Sequence, residues 1–286
     1  MIYYLASIPR SGSTLLASLL GQREDTYVSP TSNLGETLGA VVMAFESNPA
    51  TKAGECSKNE LYRTLKGVVD AKYSEHKEPV IFDKGRMWPD PQIMETMGKA
   101  MGKVKIVATV RPIAECIASF YEIDKSDLSV KRWMKESSLF SHLMTSYNTL
   151  KAGYEKYPEN FCIVEYDNLC NFTQRELDRI ANFISIPHIA FSSEIQQVDE
   201  NDNAWGIENL HTLEPLIKKT KQNTESILGD EIYNLYQGGE FWNDKLEPIR
   251  GKEPIDLALE AGIHGRFDKG WEILSQEYKL HPNNNR

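Results

Sequence analysis

An apolar run at residues 2–8 breaks at Pro9 into a short polar loop and passes at once into a leucine-patterned segment. This restricts the chain to folds in which a buried strand feeds a helix through a tight turn. The run has the length and the β-branched and aromatic bias of a buried strand. Arg10-Ser11-Gly12-Ser13-Thr14 forms the loop, and Leu15, Leu16, Leu19 and Leu20 recur at helical spacing. A loop of small residues at a helix N-terminus presents free backbone N–H groups and the positive end of the helix dipole to an anion. Arg10 adds a fixed charge beside the hydroxyls of Ser11, Ser13 and Thr14. The Gly-x-x-x-x-Gly-Lys-Ser/Thr pattern of a Walker loop is absent.

The remaining pattern is strand, helix, strand, helix, which predicts a parallel sheet wrapped by helices. Strands are expected at 26–29, 79–82, 104–110 and 161–164. Helices are expected at 34–45, 61–73, 91–101, after Pro112, at 128–157 as one long segment, and at 173–184. Beyond Pro187 the pattern weakens. The organisation expected is one α/β domain over residues 1–286, with a core at 1–187 and a C-terminal extension at 188–286 packed over the ligand edge of the sheet.

Bulk properties narrow the function classes. A net charge of −9 disfavours nucleic acid and anionic membrane surfaces as partners. No stretch approaches the ~20 apolar residues of a membrane span, and the N-terminal run is too short for a signal peptide. The four cysteines form no CxxC pair and no zinc spacing. Cys116 and Cys162 read as core thiols, and a cytoplasmic, reduced setting is expected.

In open α/β sheets a ligand sits beyond the carboxyl ends of the strands. Three polar groups fall at such ends: residues 10–14, Asp83-Lys84 and Arg111. Ser119 lies about two turns into the helix after Arg111, so the two are placed to hold a second phosphate together. Lys84 is expected to supply a mobile cation between these two anion sites.

These elements together resemble the sulfotransferase family, enzymes that use 3′-phosphoadenosine 5′-phosphosulfate (PAPS). Pro9-Arg10-Ser11-Gly12-Ser13-Thr14-Leu15 is similar to the family's 5′-phosphosulfate loop, in the arginine form of tyrosylprotein and many bacterial members. The stretch 107–121, with Arg111 and Ser119, resembles the 3′-phosphate-binding strand and helix. Phe82-Asp83-Lys84 resembles the segment whose lysine approaches the sulfuryl group. Residues 164–169 resemble the Tyr-Glu-x-Leu element, which places Tyr166 near the nucleotide. More faintly, 206–211 resembles a Gly-x-x-Leu-His turn, and Gly239-Glu240-Phe241-Trp242 resembles an aromatic stop, both of bacterial members.

The resemblance implies a P-loop NTPase-like three-layer fold and in-line sulfuryl transfer to a hydroxyl or amine of a small-molecule or peptide acceptor. It implies 3′-phosphoadenosine 5′-phosphate (PAP) as product and no metal. It further implies Arg10, Ser11, Gly12, Ser13, Thr14, Arg111, Ser119 and Tyr166 as nucleotide contacts. Trp205 is a further candidate, for stacking on the adenine. Arg10 and Lys84 are expected to stabilise the transferred charge. Tyrosylprotein sulfotransferases carry an acidic base shortly after the first helix, where this chain has Ser29-Pro30-Thr31-Ser32. Glu36 is near but out of register, and His211 is preferred as general base for its near-neutral intrinsic pKa. Two alternatives stand beside this reading. One is a small-molecule kinase of related fold, opposed by the missing Walker lysine and the lack of a clear magnesium-holding Asp. The other is a non-catalytic nucleotide-binding protein.

Overall fold

The structure, a computed structural model, describes residues 1–197, 207, 210–219 and 222–243. Its elements run β1 (Ile2–Ser7), α1 (Ser13–Gly21), β2 (Thr26–Thr31), α2 (Leu34–Ser47), α3 (Pro49–Lys52), α4 (Lys58–Lys72), β3 (Val80–Lys84), α5 (Pro91–Met101), β4 (Ile106–Val110), α6 (Ile113–Asp124), α7 (Val130–Glu136), α8 (Ser138–Lys156), β5 (Phe161–Glu165), α9 (Tyr166–Asn171), α10 (Thr173–Ile184), α11 (Thr224–Leu228) and α12 (Asp230–Tyr236). The five strands form one sheet in the order β2-β3-β1-β4-β5, and all of its pairings are parallel.

Alternation along β1 sets the layers. Tyr3 and Leu5 face one side, with the leucines of α1 and with Leu177, Ile180 and Ile184 of α10. Tyr4 and Ala6 face the other, where α4, α5, α6 and α8 pack. Both faces are therefore covered, as a parallel sheet requires. This is the α/β, P-loop-like three-layer arrangement expected from the sequence.

The helix boundaries follow local chemistry. Ser57 and Glu60 form a capping box at α4. Asp90 caps α5 just before Pro91, and Gly102 follows its end with φ 88°. The single helix expected at 128–157 is instead two. Ser137 takes an extended conformation, and its hydroxyl accepts from the Leu139 amide, which ends α7 and starts α8. Strand β2 runs past Pro30, with a register shift between Val28 and Thr31. Proline is tolerated there because β2 lies at the edge of the sheet.

The winding of the sheet places the functional edge. From β1 the chain moves to β2 on one side, whereas from β4 it moves to β5 on the other. The neighbours β1 and β4 therefore open a crevice at their carboxyl ends. Beside it, Asp83 on β3 is fully buried. It accepts from Trp88 Nε1 at 2.8 Å, from Ser32 Oγ at 2.8 Å and from the Tyr73 hydroxyl. Burial pushes its carboxyl pKa up, and the three donors draw it back. The carboxylate thus ties the β2–α2 turn, the end of α4 and the β3–α5 turn together directly behind Lys84. Asp83→Ala strands three donors in the interior and is expected to cost roughly 2–4 kcal/mol. Urea denaturation measures this, and an unchanged midpoint would remove Asp83 from the framework.

Candidate anion-binding active site

The loop after β1 is shaped by a clasp to β4. Ser11 is fully buried, and its hydroxyl lies 2.9 Å from the Thr109 carbonyl and 2.8 Å from Thr109 Oγ1. Its amide donates to the Ile8 carbonyl at 3.2 Å. Ser11 is thus a brace beneath the loop, with its side chain turned away from the crevice. Arg10 and Gly12 on either side take left-handed backbones, φ 66° and 86°. Glycine accepts this freely, but arginine stores about 1–2 kcal/mol of strain. Gly12 is required sterically as well, because a Cβ there would lie 2.6 Å from Tyr166 Cδ2. No side chain caps α1, and its first turn holds no acidic residue. The amides of Ser13, Thr14 and Leu15 therefore open toward the crevice with the helix dipole behind them.

Two arginines link this loop to the end of β4. Arg10 Nε donates to Ser119 Oγ at 3.1 Å and its Nη1 to the Leu210 carbonyl at 2.8 Å. Arg111 is only 4% exposed. Its Nε donates to Glu115 Oε2 at 2.8 Å and its Nη1 to the Arg10 carbonyl at 3.4 Å. Its guanidinium carbon lies 4.9 Å from the centre of the Tyr166 ring. Arg111 Nη2 is buried and has no hydrogen-bond partner among the described residues. Buried donors are nearly always paired, so this one is available to an acceptor on a ligand.

Lys84, nearly buried at the end of β3, brings Nζ to 3.5 Å from Thr14 Oγ1. Two residues further on, Arg86 also lines the crevice. It meets His142 Nε2 from α8. Burial, and then the facing guanidinium, push the His142 pKa down to about 4, so its imidazole is neutral. Arg86 belongs to no motif. Its only signal in the sequence is its position one strand repeat beyond Lys84.

The outer wall of the crevice comes from 210–218 and includes His211. This segment is held by Ile195 N donating to the Pro215 carbonyl at 3.0 Å and by Leu213 N donating to Gln197 Oε1 at 2.9 Å. An ion pair joins Lys219 to Asp167 of α9. Further along, Phe241 packs on Tyr147 and Tyr154 of α8 at ring distances of 5.5 and 5.8 Å.

The crevice therefore gathers Arg10, Gly12, Ser13, Thr14, Arg111, Ser119, Tyr166 and His211, from segments far apart in the chain. Ser11 lies beneath it, and Lys84 reaches it through Thr14. Glu36 sits exposed in the first turn of α2 and does not line the crevice. Trp205 lies outside the described residues.

Helix-start amides, two arginines from adjacent strand ends and a buried unpaired donor define a P-loop-like α/β protein with a cleft suited to a multiply charged anion. A family model described as "Sulfotransferase family" matches residues 4–190. The chain belongs to the sulfotransferase family. No curated protein matches it. Similar solved structures include the sulfotransferase domain from the curacin biosynthetic pathway, at 18% identity and TM-score 0.49, covering 94% of this chain and 97% of that one. Another is a sulfotransferase from Alicyclobacillus acidocaldarius, at 12% identity and TM-score 0.44, covering 69% of this chain and 86% of that one. A third is the sulfotransferase domain of the Synechococcus PCC 7002 olefin synthase, at 14% identity and TM-score 0.44, covering 92% and 94%.

Gly12→Ala forces a Cβ into Tyr166 and a left-handed alanine into the loop. A loss of roughly 1–3 kcal/mol is expected, together with loss of anion binding at α1. Thermal melting with and without added PAP reads both, and a variant that PAP stabilises as much as the wild type contradicts this account of the loop.

Proposed function

We propose that the protein transfers a sulfuryl group from PAPS to a hydroxyl or amine of a small-molecule or peptide acceptor. The observation that carries this is the unpartnered Nη2 of buried Arg111 beside an uncapped helix start. Together they support two anion subsites on one sheet edge, as a donor with 3′- and 5′-phosphates on its ribose requires.

In this reading the amides of Ser13 and Thr14, with Arg10, hold the 5′-phosphosulfate. Arg111 and Ser119 hold the 3′-phosphate, and Tyr166 sets the floor between the two subsites. Lys84 lies on the β3 side of the loop, away from Arg111, which puts its charge near the sulfuryl group and the bridging oxygen. The acceptor oxygen or nitrogen bonds to sulfur while the bond from sulfur to the bridging oxygen breaks, leaving PAP. His211 on the 210–218 wall takes the acceptor proton. As in phosphoryl transfer, positioning and charge neutralisation supply most of the rate. The groups assigned need no metal. We place the protein in the cytoplasm; among the described residues no helix is long and apolar enough to cross a membrane.

Calorimetric titration distinguishes this reading from a kinase. PAP is expected to bind without metal and more tightly than ATP with magnesium; the reverse order would sink the assignment. Transfer of labelled sulfate from PAPS to any acceptor separates an enzyme from a nucleotide-binding protein. Arg111→Ala removes charge-assisted hydrogen bonds to the 3′-phosphate and is expected to weaken PAP about 100-fold. Adenosine 5′-phosphosulfate, which lacks that phosphate, should lose much less. Equal losses for the two would withdraw the 3′-phosphate role.

A further inference from the structure

We infer that Glu115 is a positioning residue that aims Arg111 and makes the second anion subsite selective for a 3′-phosphate over a 2′-phosphate. This rests on the donor assignment above and adds to it how the subsite discriminates.

Two of the three guanidinium nitrogens of Arg111 are engaged by the chain. Glu115 Oε2, one helical turn further along α6, takes the Nε hydrogen at 2.8 Å. The Arg10 carbonyl takes Nη1 at 3.4 Å, and Tyr166 lies beside the guanidinium with its ring centre 4.9 Å away. The group can neither rotate about its terminal bonds nor slide without breaking one of these contacts. Nη2 is the guanidinium nitrogen with no hydrogen-bond partner among the described residues. An arginine on a loose stem follows a phosphate moved from one ribose oxygen to the next, because its side chain readjusts. A guanidinium fixed by its Nε cannot, since hydrogen bonds weaken steeply with misalignment. Among the described contacts, the Glu115 bond is the shortest of those that hold Arg111.

Glu115 also brings negative charge close to a subsite for an anion, which by itself weakens phosphate binding. A carboxylate in that place has two possible effects, orientation and repulsion, and they predict opposite results. Orientation requires only an acceptor for Nε, so Glu115→Gln, whose amide oxygen can take the same hydrogen, should preserve it. Repulsion requires the charge, which both Glu115→Gln and Glu115→Ala remove.

The experiment measures, by calorimetry on the full chain, the dissociation constants of PAP (adenosine 3′,5′-bisphosphate) and of adenosine 2′,5′-bisphosphate. Wild type, Glu115→Gln and Glu115→Ala are compared, each with a thermal melt. Glu115→Ala is expected to reduce the preference for the 3′-isomer about tenfold, a typical coupling for groups in direct contact, mainly by weakening PAP. Glu115→Gln should keep the preference within about threefold of wild type. A general loss of structure would weaken both isomers alike and leave their ratio unmoved. If Glu115→Ala does not melt cooperatively, Glu115→Ser truncates the same group and is judged by the same ratio. An unchanged ratio in the truncated variant, or tighter PAP binding in both Glu115→Gln and Glu115→Ala, overturns the positioning role. Failure of the wild type to bind PAP overturns the donor assignment and this inference with it. Wild-type binding of PAP with no isomer preference overturns only the inference.

Discussion

Burying a guanidinium is unfavourable unless hydrogen bonds and countercharge replace the water it loses, and the ligand edge of this protein is arranged around that requirement at Arg111. Strand β4 delivers the residue at the point where the winding of the sheet reverses. The first turn of α6 supplies Glu115, the β1 loop supplies a carbonyl, and α9 supplies the Tyr166 ring. These leave Nη2 unsatisfied among the described residues, on a residue that lines the crevice. The unpaired donor and the stable scaffold thus have a single origin.

The two halves of the edge also hold each other. Arg111 donates to the Arg10 carbonyl, and Arg10 donates to Ser119, which stands on the helix that follows Arg111. The strained left-handed Arg10 is therefore fixed from the β4 side, while Tyr166 touches both Gly12 and Arg111. Substitutions in this group share partners, so their effects should not add. In the proposed donor site, a preformed pair of anion subsites would reduce the ordering cost when a ligand binds.

Much of this was legible in the chain. Helix α5 appears at 91–101 as its apolar spacing requires, and β1, β3 and β4 fall within two residues of their expected positions. Misreadings came where a side chain overrode periodicity. Ser137 interrupts an otherwise continuous helical pattern by capping a new one. Tyr166 opens a helix of its own where no apolar repeat announces it. Within the site, Arg111 by itself reads as a plain helix-entry residue before Pro112, and it gained a ligand role only when set beside the 10–14 loop. Ser11 read as a donor to a ligand because a loop serine usually is exposed. Its burial depends on Thr109, nearly a hundred positions away. Arg86 was missed because an arginine two residues past a strand lysine carries no pattern.

By itself the sequence determined the local units: a strand that must turn sharply at Arg10-Ser11-Gly12, a helix that opens directly from that loop, and an arginine at the end of the most apolar strand. These follow from steric limits on φ, from side-chain periodicity and from the cost of leaving apolar residues in water. Only the tertiary structure decided that β1 and β4 are neighbours, with β3 on the far side of β1. That order sets Arg111 against Arg10 and Glu115 against Arg111, and it turns Ser11 inward. Strand order and register depend on hydrogen bonds between residues distant in the chain and on how helices cover both faces of the sheet. No local pattern encodes those distances, so the spacing of the cations could be known only once the sheet was assembled.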